Sequence, residues 1–349
     1  MSLAPIEDPP KALVEGGEFH YGRFSAPPES LNMLDVSRPY HYPIPRFAKD
    51  FRLKEWQAFQ FGNERWFFFT ALYTAKVMSL AIFYAYDRVE KKSHGFKRLI
   101  PGQSFVFSDT LRASHVVYKR SRRSFEATCA YNEGHIDLNV SNISRDPTET
   151  FTGRFSFACG SSQAAPLSVC LPLGLNRAMY STKILMPMTG AFTLGGEEHR
   201  FEAPTAMGVI DDHKGYYPVR LRYDWVSGFG IDAKGRRVGF NLTDNQVKDQ
   251  VRYNENCLWV NNRIYSLPPV KVTRPSGPSG EWIIQDTEGM VDLVFVPAEA
   301  NDIVFNAGII AVDYHGPFGS FRGIIKNGSG EKIDVENLFG AGEQKYMRA

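Results

Sequence analysis

The stretch DDHKGYYPVRLRYDW, Asp211 to Trp225, carries two adjacent carboxylates, a histidine, a lysine and three tyrosines before its closing tryptophan. A carboxylate beside a histidine is a common acid–base device. On a strand, Asp211 and His213 share a face and could supply two metal ligands. A catalytic zinc needs three protein ligands. The other candidate donors, His135, His199 and His315, are not tied to this stretch by spacing, so no metal is expected. The competing reading is structural: Asp212 and His213 pin a strand end by hydrogen bonds, and Gly215 permits a tight backbone there. A second polar cluster, VDYHG from Val312 to Gly316, puts Asp313 and His315 on one strand face and Tyr314 on the other. It is either a strand end at a barrel rim or a group that joins Asp212 and His213 where a rim closes.

These residues gain chemistry only in a particular container. A carboxyl group in an aromatic-walled cavity has its pKa raised and becomes a proton donor near neutrality. Ring faces stabilise a developing cation. On that basis Asp212, Asp224 and Asp313 are the expected acids and His213 the proton relay. Tyr216, Tyr217, Tyr223, Trp225 and His315 are the expected ligand contacts. In VRLRYDW, Val219, Leu221, Tyr223 and Trp225 alternate with Arg220, Arg222 and Asp224. The apolar face is expected to point into the barrel, because buried unpaired arginines are costly.

The elements that would position them are strands. EWQAFQFGNERWFFFTALY turns at Gly62-Asn63, and HVVYKRSRRSFEATCAY near Ser121 and Arg122. Further turns fall at Gly195-Gly196, Ala233–Gly235 and Asn261-Asn262, and RPSGPSG (274–280) is a surface loop. WFFFTALYTAKVMSLAIFYAY (66–86) is long enough to span a bilayer as a helix. Its central Lys76 would cost about 3 kcal/mol there, and Thr74 to Lys76 make a turn, so a hairpin is expected. LTDNQVKDQV is the best short-helix candidate, capped by Thr243 or Asp244. Many short strands at even spacing indicate antiparallel barrels or sandwiches. Glu55-Trp56 and Asp224-Trp225 each open a hairpin, an internal echo that suggests two copies.

The 349 residues include 40 basic and 38 acidic side chains, a net charge of +2. That balance offers no field for nucleic acid, and the basic run at Lys119 to Arg123 reads as a solvated hairpin tip. Cys129, Cys159, Cys170 and Cys257 lack metal spacing and read as free core thiols. GPFGSFRG lacks the Lys-Ser/Thr of a phosphate loop. No basic-then-apolar leader opens the chain, so a reduced cytoplasm is the expected compartment.

KEWQAF, GVIDDHKG, RYDW, GRRVGFNL and GSFRGIIKNGSGEKIDVENLFGAGE together resemble a bacterial family known as domain of unknown function 2804. More distantly they resemble the hydroxyneurosporene synthase and AttH-like group. The compact Asp212-His213-Lys214-Gly215 and the pair Tyr223-Asp224-Trp225 depart from that group's pattern. The resemblance implies an all-β fold of two lipocalin-like (calycin) antiparallel barrels packed together. The expected division is an extended N-terminal arm over 1–50, a first barrel over 51–190 and a second over 191–349. The expected function is binding of a mostly apolar small molecule, lipid-like or isoprenoid-like. Acid-assisted hydratase, isomerase or cyclase chemistry without a redox cofactor is one extension. A carrier without chemistry, and a structural protein with filled barrels, are the alternatives. No nucleic acid and no transmembrane segment are expected; peripheral membrane contact stays open.

Overall fold

The computed structural model describes residues 5–308, 310–336 and 338–348. Among them, strands form a 13-stranded sheet, a 12-stranded sheet and a two-stranded ribbon in the N-terminal arm. The first sheet runs in the order Lys92–Pro101, Met78–Asp87, Trp66–Thr74, Leu53–Gly62, Met207–Tyr216, Arg177–Leu194, Phe151–Ala158, His135–Asn142, Arg123–Ala130, Ser114–Arg120. The second centres on Arg220–Ile231 and Phe339–Arg348, with Phe318–Lys326 beyond. All pairs within the three sheets are antiparallel, which suits one wet and one buried face per strand. The 66–86 segment is the expected hairpin, Trp66–Thr74 against Met78–Asp87. Among the described residues no helix is long and apolar enough to cross a membrane.

Each sheet curls around its own core. In the first, Phe96 and Tyr118 come from opposite edge strands, yet their ring centroids are 6.2 Å apart. Phe59, Phe61, Phe68, Phe83, Phe155 and Phe157 pack that interior. In the second, Lys271 reaches across to Asp244 at 2.8 Å, and Phe240, Leu258, Trp282, Phe295 and Phe321 pack the interior. A third apolar cluster is the seam where the two sheets meet. It joins Phe67, Phe69, Leu167 and Val209 of the first sheet to Leu221, Trp225, Phe229, Trp259 and Phe339 of the second.

Several sequence expectations change here. The chain passes from one sheet to the other between Tyr216 and Arg220. The division near residue 190 therefore falls inside the Arg177–Leu194 strand. Gly-Gly turn chemistry at 195–196 marks only the end of that strand, not of the sheet. LTDNQVKDQV forms no helix: Arg237–Asp244 is strand, and the rest is turns in which Asn245 and Asp249 side chains cap backbone amides. Such local side-chain bonds compete with a helix. The N-terminal arm has its own cluster, where Leu13, Phe19, Leu31 and Val36 pack on Tyr180 and Tyr216. It ends in a helix, Arg46–Arg52, that carries no buried residue. The four cysteines are free and buried.

Candidate functional site

Strand alternation divides the polar run of Met207–Tyr216 between two environments. Ile210, Asp212 and Lys214 turn toward the first sheet's interior. Val209, Asp211 and His213 turn toward the seam. Register extends the seam face across the sheet. Ser181, His213, Trp56, Tyr73, Leu80 and Leu99 are successive cross-strand partners. In the next row Lys183, Asp211, Ala58, Ala71 and Ile82 follow one another. The second sheet answers with Tyr223, Lys345 and Tyr314 in one row, and Trp225 beside Glu343 in another. Two alanines stand where most neighbours are bulky. Ala58 and Ala71 keep partial solvent exposure in mid-sheet, as do Trp56, Tyr73, Asp211, Tyr223, Glu343 and Lys345. A recess reached by solvent therefore lies between the sheets.

The buried wall of this recess is an ionic cluster. Lys183 Nζ lies 2.5 Å from Glu255 Oε2 and 3.1 Å from Asp211 Oδ1. Ser181 and the Trp56 indole N–H also donate to Asp211, at 2.8 and 3.1 Å. Thr243 donates to Glu255 at 2.9 Å. Burial alone would raise the Asp211 pKa, but the Lys183 charge and these donors hold it below the usual range. The His213 ring stacks on Trp56 at 3.6 Å, and its Nε2 bonds the Tyr217 hydroxyl. Gly215 makes this pairing feasible: a Cβ there would lie 2.9 Å from the Tyr217 ring. Burial drives the His213 pKa down to about 3, against the pull of Asp211. The imidazole is neutral, and its Nδ1 makes no hydrogen bond.

The open wall is different. Glu343 accepts from Tyr223 at 2.9 Å and from Tyr314 at 2.8 Å. Burial pushes its pKa up, although Lys345 and the two phenols pull it back. Lys345 Nζ lies 5.5–5.9 Å from the ring centres of Trp56, Tyr73, Tyr223 and Tyr314. Among the described residues the ammonium has no hydrogen bond and no ion pair. Burial pulls its pKa down, and Glu343 opposes this.

Of the expected site residues, the seam brings together His213, Tyr217 and Tyr223. Trp225 also faces the seam, but its indole N–H is committed to Asn241 at 2.6 Å. Asp212 lies on the opposite face, bonded to Gln57 at 3.2 Å. Burial lifts its pKa to about 6. Asp224 points with Val226 toward the second sheet's interior, where Arg274 pairs with it at 2.8 Å. The apolar side of VRLRYDW thus packs on the first sheet rather than into its own barrel, correcting the expected orientation. Arg220 and Arg222 stay solvated at the strand's beginning, so no arginine on that strand is buried unpaired. Tyr216 packs in the arm cluster and donates to Met33 O at 3.1 Å. Asp313 is exposed and pairs with His315 at 3.1 Å; His315 also meets Asp302 at 3.2 Å. His315 and Asp302, without Asp313, line a shallow cleft of about 190 Å³ that includes neither Asp212 nor His213. A second cleft of about 270 Å³, walled by Phe67, Phe229 and Phe339, lies at the Gly62 end of the seam.

Sequence reasoning missed Lys183, Glu255, Glu343 and Lys345 as site residues. A signal existed. Phe339, Ala341, Glu343, Lys345 and Met347 form one face of a strand, with two charges set into an apolar series. Lys183 likewise interrupts an apolar run in RAMYSTKILMPM. Among the described residues, no group of three or more His, Cys, Asp or Glu side chains is arranged to hold a metal.

Two curled antiparallel sheets, each with its own core and joined at a polar-aromatic seam, define an all-β protein of two packed units. The chain belongs to the family described as domain of unknown function DUF2804, which it matches over residues 14–348. No curated protein matches its sequence. Solved structures of similar fold include kievitone hydratase from Nectria haematococca, at 9% identity and TM-score 0.45, covering 85% of this chain and 89% of that one. An AttH-like protein from Nitrosomonas europaea aligns at 13% identity and TM-score 0.43, covering 85% and 92%. CghA aligns at 10% identity and TM-score 0.40, covering 85% and 88%.

Proposed function

We propose that the seam binds a mostly apolar, planar small molecule carrying one oxygen-bearing head, and performs acid-assisted chemistry on it. The observation that carries this reading is the unpaired Lys345 ammonium, ringed by four aromatic side chains, beside a carboxyl group held by two phenols. An uncommitted donor in a narrow, aromatic-walled recess suits a carbonyl or anionic oxygen. Trp56, Tyr73 and Tyr223 supply flat apolar walls. Burial raises the Glu343 pKa. Its carboxyl can give a proton to a conjugated carbon while Lys345 holds the oxygen, and its carboxylate then takes one back, from the γ-carbon in isomerisation or from the added water in hydration. Isomerisation and hydration of an enone both use that pair of roles, and neither needs a redox cofactor. The packed interiors of the two sheets direct the reading to the seam rather than to either barrel lumen.

Two measurements test it. Native mass spectrometry of the full chain is expected to show a co-purifying apolar molecule. Titration with 8-anilinonaphthalene-1-sulfonate, an aromatic body with an anionic head, is expected to saturate at one site. Lys345→Met should weaken that binding about tenfold or more, the value of one charged hydrogen bond. Asp212→Asn, on the other face of its sheet, should leave it unchanged. Equal binding by Lys345→Met and the unaltered chain would sink the site. Glu343→Gln should keep binding and lose proton exchange into a bound α,β-unsaturated ketone; binding with no exchange in the unaltered chain leaves a carrier.

A further inference from the structure

The seam row that begins at Ser181 and His213 does not stop at Tyr73. It continues through Leu80 to Leu99, which is 64% exposed at the edge of the first sheet. Next to that edge the chain shows an unusual amount of apolar surface. In the Thr74–Met78 turn, Val77 is 55% exposed, and Met78 pairs with Pro101 beside Leu99. The Arg46–Arg52 helix is tied to this turn by Lys76, which meets Asp50 at 3.0 Å. Lys54 reaches the same turn, donating to Ala75 O at 3.3 Å. On that helix Phe47 and Phe51, one turn apart, are 78% and 51% exposed. The helix buries no residue, so these rings do not serve the core.

The charges around this rim are predominantly basic. Arg46, Lys49 and Arg52 lie on the helix and Lys54 follows it. Arg46 pairs with Asp35 at 2.9 Å, and Lys76, nearly buried, is taken up by Asp50 and Glu55, so Lys49, Arg52 and Lys54 carry the excess. Glu55 is buried, held by Lys76 at 2.6 Å and Lys214 at 2.9 Å. Exposed aromatic and aliphatic side chains with a basic surround are what an anionic lipid surface recognises. The rings enter the headgroup boundary while the cations meet lipid phosphates.

We propose that the rim formed by Phe47, Phe51, Val77, Met78 and Leu99 docks this protein on an anionic membrane surface. Docked there, the protein would turn the open end of the seam row toward the lipid. An apolar molecule dissolved in the bilayer could then reach the Trp56 and Tyr73 rings without crossing water. The surface proposal does not depend on what the seam does. Vesicle binding is measured without any seam ligand, so it can fail while the seam reading stands, or the reverse.

The experiment is flotation of the full chain with vesicles of phosphatidylcholine alone, and with about one third phosphatidylglycerol, at low and high salt. The chain is expected to float with the anionic vesicles and to be released as salt rises. The double variant Phe47→Ser/Phe51→Ser should partition about tenfold less or weaker still, because two rings no longer leave water. Arg46→Gln/Arg52→Gln should lose the preference for anionic lipid. These positions are exposed or half-exposed, and thermal melting of each variant checks that the fold is kept. Seam-ligand titration of the same variants in detergent-free buffer should be unchanged. Failure of the unaltered chain to float, or flotation equal in the Phe variants, overturns the proposal. A dimer that the Phe47→Ser/Phe51→Ser change dissolves, with no flotation, would assign this face to a second copy of the chain and also overturn it.

Discussion

Glu55-Trp56 and Asp224-Trp225 have the same local design and different fates. Both pairs lie in the first half of a long strand, and both place the acid toward their own sheet's interior and the indole toward the seam. Each acid finds a cation: Lys76 and Lys214 for Glu55, Arg274 for Asp224. The indoles differ. Trp225 is buried and its N–H is spent on the fully buried Asn241. Trp56 is half-exposed, stacks on His213 and shares Asp211 with Lys183 and Ser181. One copy is a sealed structural joint; the other borders a recess. What separates them is not the dipeptide but the rows around it. Ala58 and Ala71 leave room beside Trp56, whereas Trp225 packs among Trp259, Phe229 and Leu221 in the closed part of the seam.

The largest effect should come from removing the cation of the recess's buried wall, beside Trp56. Lys183→Met leaves Asp211 and Glu255 buried with no cation between them. It should cost about 3–5 kcal/mol in urea unfolding, the usual penalty for breaking a buried pair. Arg274→Met, which strands one carboxylate, Asp224, rather than two, should cost less. If the two losses are equal, the distinction between the open and sealed sides is mistaken.

A second effect is read from pH. Folding raises the Asp212 pKa to about 6, so the native state holds that proton more tightly than the unfolded chain. Its contribution is full below about pH 4 and is lost as pH rises through about 6, a fall of about 3 kcal/mol. His213 runs the other way. Its pKa falls to about 3, so its contribution is present above about pH 6.5 and is lost as pH drops toward 3. Between pH 4 and 6 the two slopes oppose each other. Asp212→Asn should make stability climb more steeply with pH across that window, and His213→Gln should make it fall. Identical pH profiles for all three proteins would contradict both assignments.

The smallest effect separates the two indoles directly. Trp225→Phe leaves the Asn241 side-chain oxygen buried without its donor and should cost about 1–3 kcal/mol. Trp56→Phe should cost less than about 1 kcal/mol, because Asp211 keeps Lys183 and Ser181. Thermal melts of the pair decide it; a greater loss at Trp56 would reverse the reading.

The architecture was legible in the sequence because strand alternation and turn chemistry are local. The hairpins at Gly62-Asn63, Thr74–Lys76 and Ser121-Arg122 stand where their residues place them. The site was legible only in part. Asp211 and His213 were visible as one face, but alternation does not say which side of a curled sheet meets a second sheet. That choice put Asp212 in a core and turned Leu221, Tyr223 and Trp225 outward from their own barrel. Lys183, Glu255 and Lys345 come together from strands and loops 72 to 162 residues apart, a distance no spacing rule spans. The sequence shows a turn after Gly215 leading into a new strand, but Tyr217-Pro218 has none of the glycine clustering that places a boundary near 190, so the sheet change at 216–220 lies some 26 residues beyond the expected division.

The Phe339–Arg348 strand lies between Arg220–Ile231 and Phe318–Lys326, in the middle of its sheet. A ribosome delivers it after every neighbour it pairs with. During synthesis the first sheet can close once residue 216 has emerged, while the second waits with a vacant central place and exposed strand edges. The strand that fills this place also brings Glu343 and Lys345. Closure of the sheet and assembly of the recess are thus a single event in time: a nascent chain stalled short of Phe339 has neither, and its open edges mark it for the cell's holdases and proteases.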